Sequence, residues 1–138
     1  MTPQAIPDQE GLLRRIPPWH EPQVDQNPPG GGAPTLRPPS PAFALDVGEV
    51  GLSFHIESSL RSAGEPLTYG CPLGAPGWAV TRISAGAVRS LGLQIVRDEL
   101  PHHVQVIGLA DLSGGALRRM MRTLAKHSVY IVPPRVAG

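Results

Sequence analysis

The chain has 138 residues, and its twelve Lys and Arg residues almost balance eleven Asp and Glu residues, for a formal net charge of +1. This balance predicts neither a nucleic-acid nor a membrane partner, so only local clusters of charge are informative. A single cysteine, Cys71, excludes an intramolecular disulfide and a cysteine-based zinc cluster. No segment has the pattern of a signal peptide or of a membrane span, and we therefore expect a soluble cytoplasmic protein.

Composition divides the chain into a Pro/Gly-rich N-terminal arm, residues 1–41, and a compact domain, residues 42–138. Eleven of the seventeen prolines lie in the arm, and proline disfavours both helix and central strand because it lacks a backbone donor. We expect an extended arm. Within it, the segment LLRRIPPWH forms an apolar anchor that we predict contacts a protein partner or another copy of the chain. The anchor consists of Leu12, Leu13, Ile16 and Trp19.

From residue 42 onward the pattern is that of a globular domain. The segments FALDV and VGLSFHI read as strands, and the second places apolar residues on one face and Ser53, His55 and Glu57 on the other. Residues 62–77 are rich in glycine and proline and predict a long surface loop.

The remainder alternates strands with helices. WAVTRI predicts a strand, and Ser84 is expected to cap a short helix that ends at Gly92. LQIVRDEL and HHVQVIGL predict two more strands, Asp111 or Ser113 should cap a longer helix over 114–126, and VYIVPP supplies a last strand. The order predicts an α+β domain: a small, mostly antiparallel sheet with one short and one longer helix, preceded by the extended arm.

Ser53, His55 and Glu57 were the first candidates for a catalytic group. Residues at i, i+2 and i+4 of a strand share a face, but their side chains project in parallel and seldom converge as a nucleophile, a base and an orienting acid must. The chain also lacks a Gly-x-Ser-x-Gly elbow at Ser53. We therefore interpret the three as the polar face of a half-buried strand.

Adjacent histidines, His102 and His103, point to opposite faces if they lie on a strand. A metal site would require one of the pair to converge through tertiary folding with His20, His55 and an acid such as Glu57 or Asp98. The sequence contains neither HExxH nor CxxC. We predict no metal and no cofactor.

An enzyme remains an alternative. Arg14 or Arg15, together with His55 and either His102 or His103, would suit an anion clamp for a phosphate-containing or nucleotide substrate. Neither a Walker loop nor a Rossmann glycine pattern accompanies these residues. Without these motifs, the sequence favours a non-enzymatic role over the enzyme.

The predicted helix over 114–126 has two distinct faces. An apolar stripe follows the spacing of a buried helical face and comprises Leu117, Met120, Met121 and Leu124. The opposite side carries only positive charges, Arg118, Arg119, Arg122 and Lys126. We predict that the basic side contacts an acidic protein surface or a nucleic-acid backbone. The lack of interleaved aromatic residues argues against base-specific RNA recognition.

The segments LLRRIPP, LSFH, VRDELPHHVQVIG and VYIVPP, in this order, resemble those of short uncharacterised proteins of high-GC bacteria. The resemblance implies a bacterial cytosolic origin and carries over no catalytic residue.

Taken together, the patterns predict a small interaction module or accessory subunit. It would bind a protein partner through the arm and the basic helix face. The alternatives are the small enzyme with Arg and His residues in its site, and a binder of the nucleic-acid backbone.

Overall fold

A computed structural model of the chain describes residues 5–72 and 77–134. Eight strands and three α-helices occur within this part. The strands are β1 (Gly11–Ile16), β2 (Gln23–Asp25), β3 (Thr35–Arg37), β4 (Gly51–Ile56), β5 (Ala79–Ser84), β6 (Gln94–Arg97), β7 (His103–Ile107) and β8 (Val129–Val132). The helices are α1 (Glu57–Ser62), α2 (Ala85–Ser90) and α3 (Gly114–His127), with 3-10 turns at Ser40–Phe43 and Leu109–Asp111.

Six of the strands form one antiparallel sheet in the order β6-β7-β4-β1-β5-β8. The other two, β2 and β3, pair only with each other. With its helices, the chain has the α+β architecture that the sequence predicts. Because antiparallel strands can be joined by short connections, the sheet needs no long crossover helices.

Strand β1 lies in the middle of the sheet, between β4 and β5. This placement corrects the prediction that Leu12, Leu13 and Ile16 contact a partner, because each is at most 1% exposed. It also means that residues 11–16 belong to the compact body although they precede residue 42. Prolines at 17 and 18 follow β1 directly and do not interrupt it.

The sheet has a core on each face. Leu12 and Ile16 face the larger core, which includes Phe43, Phe54 and Leu124. On the opposite face Leu13 packs with Leu60 and Val80 in a smaller cluster. Since side chains alternate along a strand, the run of apolar residues in β1 serves both cores.

One predicted strand is corrected by the structure, and a helix that the sequence did not predict follows another strand. The segment FALDV is not a strand: a 3-10 turn covers Ser40–Phe43, and the residues after it are irregular. Strand β4 ends at Ile56, and Glu57 begins α1, a helix that we did not predict. The predicted loop over 62–77 overlaps the end of α1, and its residues 73–76 lie outside the described part of the chain.

The other two helices match their predictions closely. Ser84 caps α2, since its Oγ accepts a hydrogen bond of 3.1 Å from the backbone N–H of Ala87. Gly92, with a φ of 83°, follows the helix in the left-handed region that favours glycine. Helix α3 begins one residue after Ser113, whose side chain makes no capping bond, and it ends at His127. Its apolar stripe packs against the larger core as predicted.

Among the described residues, no helix combines the length and the apolar character that crossing a membrane requires.

Candidate functional site

Arg14, a candidate for anion binding, is a structural residue. Its Nε donates to the carbonyl oxygen of Ala42 at 2.8 Å and its Nη1 to that of Ser53 at 3.1 Å. The guanidinium carbon lies 5.6 Å from the ring centre of Phe43 and 5.7 Å from that of Phe54. Burial lowers the pKa of Arg14 to about 10, although nearby Glu49 opposes this. The side chain therefore joins the turn at Ser40–Phe43 to β4.

Arg15 lies on the other face of β1 and extends towards the histidines. Its Nη1 donates to the carbonyl oxygen of Gly70. A Cβ added at Gly70 would stand 3.1 Å from Arg15 Nη1 and 3.2 Å from His55 Cε1, so the two side chains flank the same glycine. Three sequence-predicted candidates, Arg15, His55 and His103, thus come together on one face of the sheet.

Aromatic rings connect the histidines. His55 and His103 are paired in neighbouring strands, and their ring centres are 5.5 Å apart. Tyr69, from the turns after α1, lies edge-on to His55 at 5.2 Å and to His102 at 5.3 Å. We call these residues, His55, Tyr69, His102 and His103, the histidine cluster.

Burial has the largest effect on the charge state of His55 in the histidine cluster. His55 and His103 are only 8% and 7% exposed. Burial lowers the pKa of His55 to about 4, helped by the positive charge of Arg15 and by the two neighbouring histidines. His55 is therefore neutral near pH 7, and little of its side chain is exposed to solvent.

Two hydrogen bonds anchor the cluster at its ends. His103 Nδ1 lies 2.5 Å from Asp98 Oδ2, and the other oxygen of Asp98 accepts from the backbone N–H of Leu100. His102 Nδ1 lies 2.6 Å from Ser59 Oγ. The carboxylate orients His103, while the serine hydroxyl is the group nearest to the ring nitrogen of His102.

Glu57 lies apart from this cluster. Its carboxylate forms ion pairs with Arg82 at 2.8 Å and with Arg61 at 3.0 Å. Burial raises the pKa of Glu57, but the hydrogen bonds from Arg82 and Arg61 outweigh it, so the pKa lies below its usual value. The predicted face of Ser53, His55 and Glu57 is not formed, because the chain turns into α1 at Glu57.

No three His, Cys, Asp or Glu side chains in the described ranges are grouped so that they could hold a metal ion.

A second candidate site is an aromatic cleft of about 470 Å³ at the end of β1. Trp19 is 70% exposed, and its ring lies edge-to-face with that of Trp78 at a centroid distance of 5.8 Å. Asp46 and Glu49, both exposed, line the same cleft. We call this region the tryptophan cleft, defined by Trp19, Trp78, Asp46 and Glu49.

The basic side of α3 is open to solvent. Its members, Arg118, Arg119, Arg122 and Lys126, are all exposed. None of them forms an ion pair with another residue in the described part of the chain. Their role in contacting an anionic partner stays a prediction.

Sequence reasoning missed several residues that structure brings into these sites. Trp78 was read only as the start of a strand, and Tyr69 only as part of a loop. Ser59 was not considered because its partner, His102, lies 43 residues away in the chain. Glu10 was also missed, and its carboxylate accepts from the backbone N–H groups of Gly11 and Ser58.

Comparison with known proteins gives no relative from which a role could be carried over: no family model, no curated protein and no solved structure matches the chain significantly.

Proposed function

We propose that the chain is a small cytoplasmic interaction module that binds a protein partner at the tryptophan cleft. The observation that carries this proposal is Trp19, a large aromatic side chain that is 70% exposed and held in place by Trp78. Tryptophan is enriched among the residues that dominate binding energy in protein interfaces. Of the four residues predicted as the anchor, Trp19 is the one proposed to contact the partner. The other three, Leu12, Leu13 and Ile16, are buried in the sheet.

The charges of the tryptophan cleft indicate the chemistry of the partner. Arg14 directs its guanidinium inward to two backbone carbonyls, and Arg15 donates to Gly70. Asp46 and Glu49 stand exposed at the same cleft. A partner segment bearing a lysine or arginine would place its cation over the Trp19 ring and near these carboxylates.

The test is purification of the intact protein from its native host at high salt, with quantitative mass spectrometry of what is retained. Trp19→Ala should lower the amount of a stoichiometric protein partner at least tenfold, because the substitution removes the central contact. Val129→Ala is the matched control, since Val129 is 62% exposed and lies on β8. Equal retention by wild type and Trp19→Ala would refute the proposal.

The charge pattern is tested in the same assay. Asp46→Asn combined with Glu49→Gln should weaken the retained partner and reduce the effect of salt on its release. If the double variant binds as wild type does, the partner is not recognised through a cation.

A second surface on the same module is the basic side of α3. We propose that it contacts an acidic surface of the partner. Replacing Arg118, Arg119, Arg122 and Lys126 by Gln should then speed release of that protein. A nucleic-acid signal that co-purifies at low salt and disappears at high salt would instead identify the nucleic-acid backbone as the ligand of this surface.

The enzyme alternative is favoured by one observation, the convergence of Arg15, His55 and His103. It predicts turnover of a phosphomonoester or nucleotide that is lost in both Arg15→Gln and His55→Gln. An unchanged rate in His55→Gln would remove this alternative, since its base would then be dispensable.

A further inference from the structure

A cleft of about 590 Å³ lies beside the first turn of α1. Three arginines line it, Arg61, Arg82 and Arg97, and so does Ser59. We call it the arginine cleft. It is distinct from the tryptophan cleft, with which it shares no lining residue.

Ser59, in this lining, is hydrogen bonded to a histidine. Its Oγ lies 2.6 Å from Nδ1 of His102, and both residues are half-buried. A serine hydroxyl within hydrogen-bond reach of an imidazole nitrogen is the arrangement that activates a serine nucleophile. Ser58 and Ser62 line the same cleft, and the hydroxyl of Ser58 donates to Glu10 instead.

His102 has an unusual backbone conformation, and two contacts hold it in position. Its φ is +60°, and it is the only described residue other than glycine with a positive φ. Its carbonyl oxygen accepts from the backbone N–H of Ile56 at 2.7 Å, and the ring of Tyr69 lies edge-on to its ring at 5.3 Å. A sparsely populated backbone conformation persists only where its surroundings fix it, and such conformations cluster at functional sites.

The arginine side chains define what kind of molecule the cleft would accept. Glu57 pairs with Arg61 and Arg82 through separate carboxylate oxygens, and both arginines line the same cleft as Ser59. Arg61 donates one N–H to Glu57 and its side chain is 62% exposed, so its other N–H groups can donate to an anion in the cleft. An ester whose acyl part carries a carboxylate is complementary to this arrangement.

We propose that Ser59, which lines the arginine cleft, is the nucleophile of an esterase-type acyl transfer, and that His102, which contacts the cleft through its bond to Ser59, is the base. Ser59 Oγ forms a bond to the acyl carbon while its proton passes to Nδ1 of His102, which requires the tautomer protonated at Nε2. The ester C–O bond then breaks, and the alkoxide leaves with the proton from His102. In the second half-reaction, water gives a proton to His102 and forms a bond to the acyl carbon, the bond between that carbon and Ser59 Oγ breaks, and His102 returns the proton to Oγ as the acid leaves.

The first test is covalent labelling of the full chain with a fluorophosphonate probe. Attack by Ser59 forms an O–P bond and expels fluoride, with the hydroxyl proton passing to His102. A single adduct on the peptide that contains Ser59 is expected, and it should be absent in Ser59→Ala. His102→Asn should slow labelling at least tenfold, since asparagine tolerates a positive φ but cannot act as the base.

Ser62→Ala is the matched control, because Ser62 lines the same cleft and should not affect the labelling rate. Circular dichroism and the unfolding midpoint of each variant separate loss of the reaction from loss of the fold. No adduct on Ser59 in folded wild-type protein, or an unchanged rate in folded His102→Asn, overturns the proposal.

The substrate class is tested with p-nitrophenyl acetate and a p-nitrophenyl ester of a dicarboxylic acid. The dicarboxylate ester should be hydrolysed at least tenfold faster, and Arg61→Gln should reduce this preference. Equal rates for the two esters would overturn the assignment of an anionic acyl group. Because these variants lie outside the tryptophan cleft, their outcome is independent of partner binding there.

Discussion

Arg14 places a positive charge between the turn at Ser40–Phe43 and the sheet, where hydrogen bonds, aromatic faces and the nearby carboxylates of Glu49 and Asp46 compensate for lost hydration. Pairing between β1 and β4 is recorded at Leu12 and Leu13 alone. Just beyond these positions, Nη1 of Arg14 donates to Ser53 O and continues the connection between the strands. The planar guanidinium satisfies two carbonyls at once, which a lysine ammonium on its flexible stem does less well.

Arg14→Lys should therefore destabilise the protein by about 2 kcal/mol, because a buried carbonyl loses its donor and the aromatic stacking is lost. Urea unfolding of the full chain measures this change. Arg122→Lys is the control, since Arg122 is exposed and surface substitutions usually change stability by less than about 0.5 kcal/mol. Equal effects of the two substitutions would show that the carbonyl bonds of Arg14 contribute little.

His55 makes stability depend on pH. Its pKa in the folded protein is about 4, against 6.5 for an ordinary histidine, so folding favours the neutral form. The contribution to stability is fully present above about pH 6.5 and is lost as the pH falls towards 4, by up to about 3 kcal/mol. Arg15, His102 and His103 add to this effect, while Asp98 opposes it.

The expected measurement is the free energy of unfolding at pH 7 and at pH 4.5 for wild type and for His55→Gln. The variant should lose less stability between these pH values than wild type does, since glutamine does not titrate. If the free energy of unfolding changes equally with pH in wild type and His55→Gln, protonation of His55 does not destabilise the fold. The turns that carry Tyr69 would then open to hydrate the charged ring.

Helix α1 shows how an element can depend on a residue far from it in the chain. It has six residues, and its N-cap, Ile56, has no side chain able to cap. Glu10 supplies the acceptor: its carboxylate binds the backbone N–H of Ser58 at 3.3 Å and also the Ser58 hydroxyl. A helix this short is not stable by itself, so its position depends on such contacts and on buried Leu60.

Glu10→Ala should lower stability by about 1 kcal/mol, the usual cost of losing a helix cap. Thermal unfolding followed by circular dichroism checks this, with Glu21→Ala as the control because Glu21 is exposed. If both variants unfold at the same temperature as wild type, α1 does not rely on Glu10.

At the scale of the whole molecule, the sequence predicted the α+β class and every strand of the large sheet except β1. Alternation and turn residues identify β4, β5, β6, β7 and β8 because each segment carries its own signal. Strand β1 was missed because its surroundings are rich in proline, although Leu12, Leu13 and Ile16 were correctly seen as an apolar group. The proline content of residues 1–41 as a whole predicted an extended arm, although six of these residues form β1.

The candidate sites were less accessible to sequence reasoning. Arg15, His55 and His103 were named, but their proximity depends on the strand order β7-β4-β1, which no local pattern encodes. The contact of Ser59 with His102 and that of Trp19 with Trp78 join segments 43 and 59 residues apart. Such pairs become visible only when the register of the strands is known.

Because β1 lies between β4 and β5, we expect that the chain cannot fold without residues 1–41. Deleting residues 1–41 removes the strand between β4 and β5 and exposes both of their inner edges, together with the cores that Leu12 and Leu13 fill. The truncated chain should fail to fold cooperatively, as measured by urea unfolding and by the dispersion of its amide NMR signals. In contrast, replacing residues 28–33, which connect β2 to β3, with Asn-Gly should preserve the fold, since loop length affects stability only weakly. A cooperative unfolding transition in the truncated chain would mean that β4 and β5 can join without β1.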